Sequence, residues 1–160
     1  MAPNSGIPQS VRERKWSADL ELAIPIWKTT ILDLRVHGQK IDSEQEILPI
    51  SELYYLGGAT SLRGYREMQF AGHTIAWSNL ELRWILGRYS RLTLFTDLGY
   101  YARNLENGDG GIHMKEAWHL SYGTGIDFET GLGIIGIDYG IAQGDPPAAG
   151  KIHFRLKNEF

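Results

Sequence analysis

Residues 56–65 read Leu-Gly-Gly-Ala-Thr-Ser-Leu-Arg-Gly-Tyr, and this glycine-rich stretch carries a single charged side chain, that of Arg63. Glycine at positions 57, 58 and 64 allows the backbone to adopt positive φ values and to pass close to other groups. The stretch therefore predicts a tight loop that folds inward and buries its arginine.

Segments on both sides of this loop alternate apolar and polar residues with a period of two, which predicts β-strands. No segment shows a convincing helical period, so the expected class is all-β and antiparallel. Two strands precede a long connection at 38–72, and five follow it between 73 and 160, with Pro25 expected in the first turn. The predicted strands cover residues 15–24, 29–37, 73–86, 91–102, 117–129, 132–143 and 151–160.

The strand lengths and connections are typical of a transmembrane barrel. Many strands reach the roughly 9–11 residues that cross a bilayer at a tilt. Short turns alternate with long connections, as they do in outer-membrane barrels. A soluble β-sandwich or barrel is the alternative, because its strands also alternate. The short turns are expected near Pro25, Arg88 and Gly131, and the long connections at 38–72, 103–116 and 143–150.

Composition excludes several classes of function. The 160 residues suggest one domain, and a net charge of −3 offers no basic face for nucleic acid. The absence of cysteine excludes a disulfide framework and a thiolate metal site. Catalytic motifs are lacking and the five histidines show no ligand spacing. We therefore expect no enzyme activity, no cofactor and no metal.

The N-terminal residues lack the basic and apolar regions of a secretory signal. Since an outer-membrane protein needs such a signal, we expect this chain to be the C-terminal piece of a longer precursor.

A pair of acidic residues in the hairpin after the loop suggests a partner for Arg63. If the turn at Arg88 places Arg83 opposite Thr93, Glu81 lies opposite Phe95, and Asp97 lies diagonally beside Glu81 on the same inward face. Two neighbouring carboxylates favour a cation between them. Arg63, on the loop that immediately precedes this hairpin, is a candidate for that cation; an ordinary exposed loop arginine is the alternative.

Three features that follow one another along the chain together resemble the C-terminal barrel region of the BamA/TamA family of outer-membrane assembly factors, also called bacterial surface antigens. The first is the Arg63-Gly64-Tyr65 loop motif. The second is the pair of strands that contain residues 79–83, Asn-Leu-Glu-Leu-Arg, and 95–99, Phe-Thr-Asp-Leu-Gly. The third is a last strand that ends in Phe160. The resemblance runs from about Trp16 to the C-terminus.

The resemblance implies a fold and a site. Members have a sixteen-stranded antiparallel transmembrane β-barrel, of which this chain would supply about seven C-terminal strands, with the first nine strands and the periplasmic domains missing or replaced by an oligomer partner. The family's loop folds into the barrel lumen, and its arginine docks on acidic residues of the wall. That implies loop docking by Arg63, Gly64 and Tyr65 onto Glu81 and Asp97, with a salt bridge from Arg63 to Glu81, Asp97 or both.

The resemblance also implies a function without a cofactor, in the outer membrane of a bacterium or organelle. Family members assist the insertion of other outer-membrane proteins. The implied partners are outer-membrane lipid, unfolded outer-membrane protein clients and the assembly machinery. The alternatives are a translocator for secreted or attached passenger domains and a passive, porin-like barrel.

The last strand, residues 151–160, forms a second candidate site. Its apolar residues alternate and end in an aromatic residue, which resembles the signal by which an assembly machine captures a barrel strand through strand addition to an exposed edge. A last strand with an interfacial aromatic is the simpler interpretation. The implied signal residues are Phe154, Leu156 and Phe160, and the same strand is implied to contact clients.

Overall fold

The computed structural model describes residues 12–131 and 133–157. Seven strands form one antiparallel sheet in the order β1-β2-β5-β6-β7-β8-β9, and β3 and β4 pair in a separate small sheet. Single 3-10 turns cover Ile50–Glu52 and Pro147–Ala149. The strands are β1 (Glu13–Trp27), β2 (Thr30–Ser43), β3 (Tyr54–Leu56), β4 (Phe70–Gly72), β5 (Thr74–Ile85), β6 (Arg91–Glu106), β7 (Ile112–Thr130), β8 (Gly133–Ala142) and β9 (Lys151–Lys157).

The prediction of an all-β chain with seven antiparallel strands is confirmed. Each strand of the large sheet pairs with the next one along the chain, apart from the β3–β4 insertion between β2 and β5. Within the described residues, no helix is long and apolar enough to span a membrane. The sheet has β1 and β9 at its two edges.

The first predicted turn was misplaced, because Pro25 lies within β1. Pro25 pairs with Ile31, and the pairing register shifts between Pro25 and Trp27, so that the turn falls at residues 28–29. A proline lacks the backbone donor that a central strand requires, but an edge strand with an irregular register tolerates one. Edge position therefore explains why the strand continues past the residue expected to end it.

Two connections are shorter than predicted. Strand β2 continues to Ser43, so the connection expected at 38–72 begins only after that residue. The expected loop at 103–116 is mostly hairpin, because β6 and β7 stay paired out to Glu106 and Ile112. A turn closes it with a 2.7 Å hydrogen bond from the Asn107 N–H to the Gly111 carbonyl. Apolar alternation fades there because this end of β7 is exposed on both faces, whereas backbone pairing continues.

The two faces of the sheet have opposite character. The outer face exposes large apolar side chains, whereas the inner face carries polar and charged side chains. The segment 44–73, which we call the inward loop, covers part of the inner face and leaves β1 exposed. The outer face includes Leu80, Leu92, Leu94, Leu98, Trp118, Tyr122, Ile126, Ile152, Phe154 and Leu156, all exposed. This is the arrangement of a barrel wall with lipid outside and a polar lumen inside.

The apolar core lies between the inward loop and the inner face. Leu56 and Leu62 of the loop are wholly buried and pack against Ile75 and Tyr101 of the sheet. Gly99 makes room for both leucines, since a Cβ at that position would come within 2.8 Å of the Leu56 side chain. Burial of these side chains holds the loop against the wall and positions the residues that follow Leu62.

Candidate functional site

Arg63 sits at the centre of the inner face, on the part of the inward loop between β3 and β4. Only 2% of its surface is exposed. The Nε and Nη2 atoms donate to the two carboxylate oxygens of Asp97 on β6, at 2.8 and 2.7 Å, and the Arg63 backbone N–H donates to Asp97 as well, at 3.0 Å. The fork geometry of this pair is the strong form of an arginine–carboxylate contact.

Glu81 on β5 is the second carboxylate at Arg63, and it is shared among three arginines. Its Oε1 lies 2.8 Å from Arg63 Nη1 and accepts from Arg35 Nη2 at 2.7 Å. Its Oε2 accepts from Arg83 Nε at 2.7 Å. Arg35 and Arg83 also contact Asp33 on β2, at 3.1 and 2.7 Å. Glu81 therefore links the loop arginine to the arginines of the wall.

Three further side chains complete the surroundings of Arg63. The guanidinium lies over the Phe95 ring, 3.5 Å from its centroid, in a cation–π contact. Asn79 donates to Asp97 Oδ1 and to the Ser61 carbonyl, both at 2.8 Å, and so ties the wall to the loop. Asp138 on β8 is wholly buried, with Oδ2 3.9 Å from Arg63 Nη1.

The charges on the inner face balance one another, which makes their burial tolerable. Burial alone would lower the pKa of Arg63, but the hydrogen bond and charge of Asp97, with the charges of Glu81 and Asp138, raise it above its ordinary value. The arginine is therefore always charged. In the described part of the chain, five carboxylates face five arginines in this network: Asp33, Glu81, Asp97, Asp127 and Asp138 with Arg35, Arg63, Arg83, Arg91 and Arg155.

Gly64 lets the loop tip lie directly on the backbone of β8. Its φ is +90°, and a Cβ there would come within 3.0 Å of backbone atoms of Ile141 and Ala142. A Cβ on Gly140 would in turn meet the backbone of Arg63 and Gly64 within 2.8 Å. Two facing glycines therefore set the closeness of loop and wall. The Gly64 N–H donates to Nε2 of His153 on β9 at 3.3 Å.

Tyr65 extends the contact to β7. Its hydroxyl donates to the Leu120 carbonyl at 3.1 Å, and its ring packs edge-on against Phe70 and His119. Burial, together with the Asp145 carboxylate, raises the pKa of the Tyr65 phenol, so the hydroxyl remains a donor. Three consecutive residues of the loop thus hold β6, β8, β9 and β7 from the inside.

The structure brings the predicted loop-docking residues together. Arg63, Gly64 and Tyr65 lie against the wall, with Glu81 and Asp97 at the arginine. The predicted hairpin register is confirmed, since Arg83 pairs with Thr93 and Glu81 with Phe95.

Sequence reasoning missed the contributions of Asp138, Gly140 and His153. All three occupy polar positions of alternating strands, so their inward direction was visible in the pattern. The pattern gives no indication of which of them meets the loop, because that depends on how far the loop reaches across the sheet.

The C-terminal residues are described only in part. Phe154 and Leu156 lie on the outer face, 71% and 60% exposed, and alternate with the inward-facing His153 and Arg155. Phe160 lies outside the described residues. The apolar alternation predicted for this strand is confirmed as far as Leu156, and the assembly-signal role stays a prediction.

The chemistry available at the site is ionic and structural. The carboxylates at Arg63 accept from arginine donors, and the described residues contain no group of three side chains suited to a metal ion. Such an arrangement can fix a loop in one position or, if its ion pairs are broken, release it.

The chain is similar to a known protein family. The family model described as the Omp85 superfamily domain matches residues 5–160, nearly the whole chain. A search of curated proteins found no match.

Proposed function

The chain belongs to the Omp85 superfamily, a family of outer-membrane proteins for assembly and translocation, and from this membership we propose that it helps to insert other outer-membrane proteins. The proposed location is the outer membrane, with the apolar outer face against lipid. The role is one of positioning strands, without a cofactor and without catalysis.

The observation that carries the proposal is the inward loop docked by Arg63 on Asp97 and Glu81. The loop covers part of the inner face, so the space that a porin would leave open for solutes is occupied on this part of the wall. Because the docking network reaches the last four strands of the sheet, it supports a role in holding these strands in a defined arrangement. A passive pore needs an open lumen, so a loop held against the wall by this network counts against that alternative.

Strand β9 is the proposed contact for client strands. Within the described residues it pairs on one side only, with β8 over Ile134 to Gly140. A strand edge that offers backbone donors and acceptors is a template for adding another strand. The unfolded barrel strands of outer-membrane clients have the matching chemistry, and the assembly machinery is the proposed wider partner.

The test is client folding in reconstituted vesicles that contain the native protein. An unfolded outer-membrane barrel is added, and its folding is followed by protease resistance and by its shift in mobility on unheated gels. Vesicles with the native protein are expected to fold the client faster than empty vesicles. Vesicles with Arg63→Ala protein should fold it more slowly than native protein does.

The rival roles give different results in the same vesicles. A translocator would move a passenger domain into the vesicle, where added protease cannot reach it, without faster client folding. A passive barrel would conduct ions without a client and would leave client folding at the rate of empty vesicles. Either result would overturn the proposal.

A further inference from the structure

A buried histidine of the last strand lies directly under the tip of the inward loop. His153 is the third residue of β9, and only 7% of its surface is exposed. Its Nε2 accepts the Gly64 N–H at 3.3 Å. Gly64 directly follows the docked Arg63, so the imidazole contacts the loop next to its main anchor.

The partners assign the tautomer of this imidazole. The Gly64 N–H can only donate, so Nε2 must be the unprotonated ring nitrogen and Nδ1 carries the hydrogen in the neutral ring. Nδ1 faces Oε1 of Glu67 at 3.6 Å. The ring therefore has an acceptor for the loop backbone on one side and a donor directed at a loop carboxylate on the other.

Glu67 closes this connection within the loop. The same Oε1 accepts the Ala59 N–H at 2.7 Å, so the side chain crosses from one limb of the loop to the other. His153 thus contacts a loop that has an internal hydrogen bond between Glu67 and Ala59. Arg63 anchors the same loop to β6. Among the described residues, Arg63 from the loop and Asp138, the register partner of His153 on β8, are further charged neighbours of the ring.

Arg155, two residues further along the same face, has a different set of partners. Its Nη2 contacts Asp138 at 2.8 Å and Asp127 at 3.3 Å, which are residues of β8 and β7. Arg155 therefore holds β9 to the wall, whereas His153 holds β9 to the loop. The two residues form a matched pair for separating these effects.

We propose that His153 is a positioning residue that couples the docked loop to β9, so that the docked loop holds this strand against β8. The coupling is reciprocal: a change at His153 loosens the loop, and a change in the loop at Glu67 loosens β9. The inference deepens the proposed function, because β9 is the strand proposed to meet clients.

The test measures the strand and the loop separately in the native protein in lipid bilayers. Amide hydrogen exchange reports on β9, and limited proteolysis reports on the inward loop. In His153→Leu, which keeps an apolar side chain of similar bulk, exchange of the β9 amides should be about fivefold faster, as expected for one lost hydrogen bond. Proteolysis of the loop should rise as well. His153→Gln, which returns an acceptor within reach of Gly64, should restore both readouts toward native values.

Two further variants test the direction of the coupling. Glu67→Ala, an exposed change in the loop, should speed β9 exchange, whereas Glu52→Ala at another exposed position of the loop should not. Arg155→Leu removes contacts of β9 with β7 and β8 but keeps those of His153 with the loop, so it should speed β9 exchange by a larger factor than it raises loop cleavage. If His153→Leu does not reach the membrane, the comparison of Glu67→Ala with Glu52→Ala decides the question.

The proposal is overturned if His153→Leu leaves loop cleavage at the native rate, if His153→Gln behaves as His153→Leu does, or if Glu67→Ala leaves β9 exchange unchanged. Client folding is measured on the same variants. Coupled loosening without any change in client folding would support the role of His153 and contradict the proposed function, so the two failures are distinguishable.

Discussion

Arg63 and Asp97 meet through three hydrogen bonds at 2.7–3.0 Å, one of them from the Arg63 backbone, although 34 residues separate them in the chain. Asp97 is wholly buried, so these bonds and the one from Asn79 compensate its loss of water. The bond from the Arg63 backbone fixes the position of the loop, and the bonds from its guanidinium pair its charge with that of Asp97.

The first prediction concerns the loop arginine itself. Arg63→Ala should expose the inward loop to protease and lower the unfolding free energy by about 3–5 kcal/mol, because buried carboxylates lose their partner. Limited proteolysis and the temperature at which the barrel loses its gel mobility shift measure these effects. Arg66→Ala is the matched control, since the Arg66 side chain is exposed in the same loop. Equal protection of both variants would contradict docking.

Asp97 and Glu81 should contribute unequally to the docking of the inward loop. Asp97→Asn should destabilise the loop more than Glu81→Gln, because Asp97 alone receives the Arg63 fork. The arginines at Glu81 keep other carboxylates, Asp33 for Arg35 and Arg83, and Asp97 for Arg63. The rate of loop cleavage in the two variants measures the order. The opposite order would show that Glu81 is the main anchor.

The closeness of loop and wall gives a third prediction. Gly140→Ala should displace the loop tip and cost roughly 1–3 kcal/mol, because the added methyl meets backbone atoms that cannot move aside easily. Gly38→Ala is the control within the same sheet, since a Cβ at Gly38 has open space. Protease mapping of residues 57–66 compares the two. Similar cleavage of Gly140→Ala and Gly38→Ala would show that the loop tip does not lie as close to Gly140 as the structure places it.

The outer face gives a fourth prediction. Leu94→Arg, at an exposed apolar position on β6, should cost about 2–4 kcal/mol in a bilayer if that position lies near the membrane centre. Leu94→Met should cost little. Unfolding from lipid vesicles measures both. Equal stability of the two variants would mean that Leu94 does not lie in the apolar interior of the membrane.

Much of this fold could be predicted from residue alternation. The period of two is clear in β6, where Leu92, Leu94 and Leu98 are exposed on the outer face and the residues between them are polar or buried, because a strand with one apolar face leaves such a pattern. The ends were less predictable. Pro25 and most of the 103–116 segment lack the alternation but still belong to paired strands. Backbone pairing at a sheet edge, or at strand ends that are exposed on both faces, does not require apolar side chains.

The docking site could be predicted in part. The register of one hairpin placed Glu81 and Asp97 on the same face and made them candidate partners for Arg63. The docking itself was implied by the family resemblance. The contacts of Gly64 with Gly140 and His153 depend on the path of the loop across the sheet, a long-range property with no local signal. The assignment to a family used three separated features together, and any one of them alone would carry little weight.

The most direct measurement of the central claim is a double-mutant cycle between Arg63 and Asp97, with loop protection and unfolding free energy measured for Arg63→Ala, Asp97→Ala and the double variant. The structure predicts that the second substitution adds little to the first, with a coupling free energy of about 2 kcal/mol or more. Effects that add within about 0.5 kcal/mol would show that the two residues act independently and would contradict the docked loop.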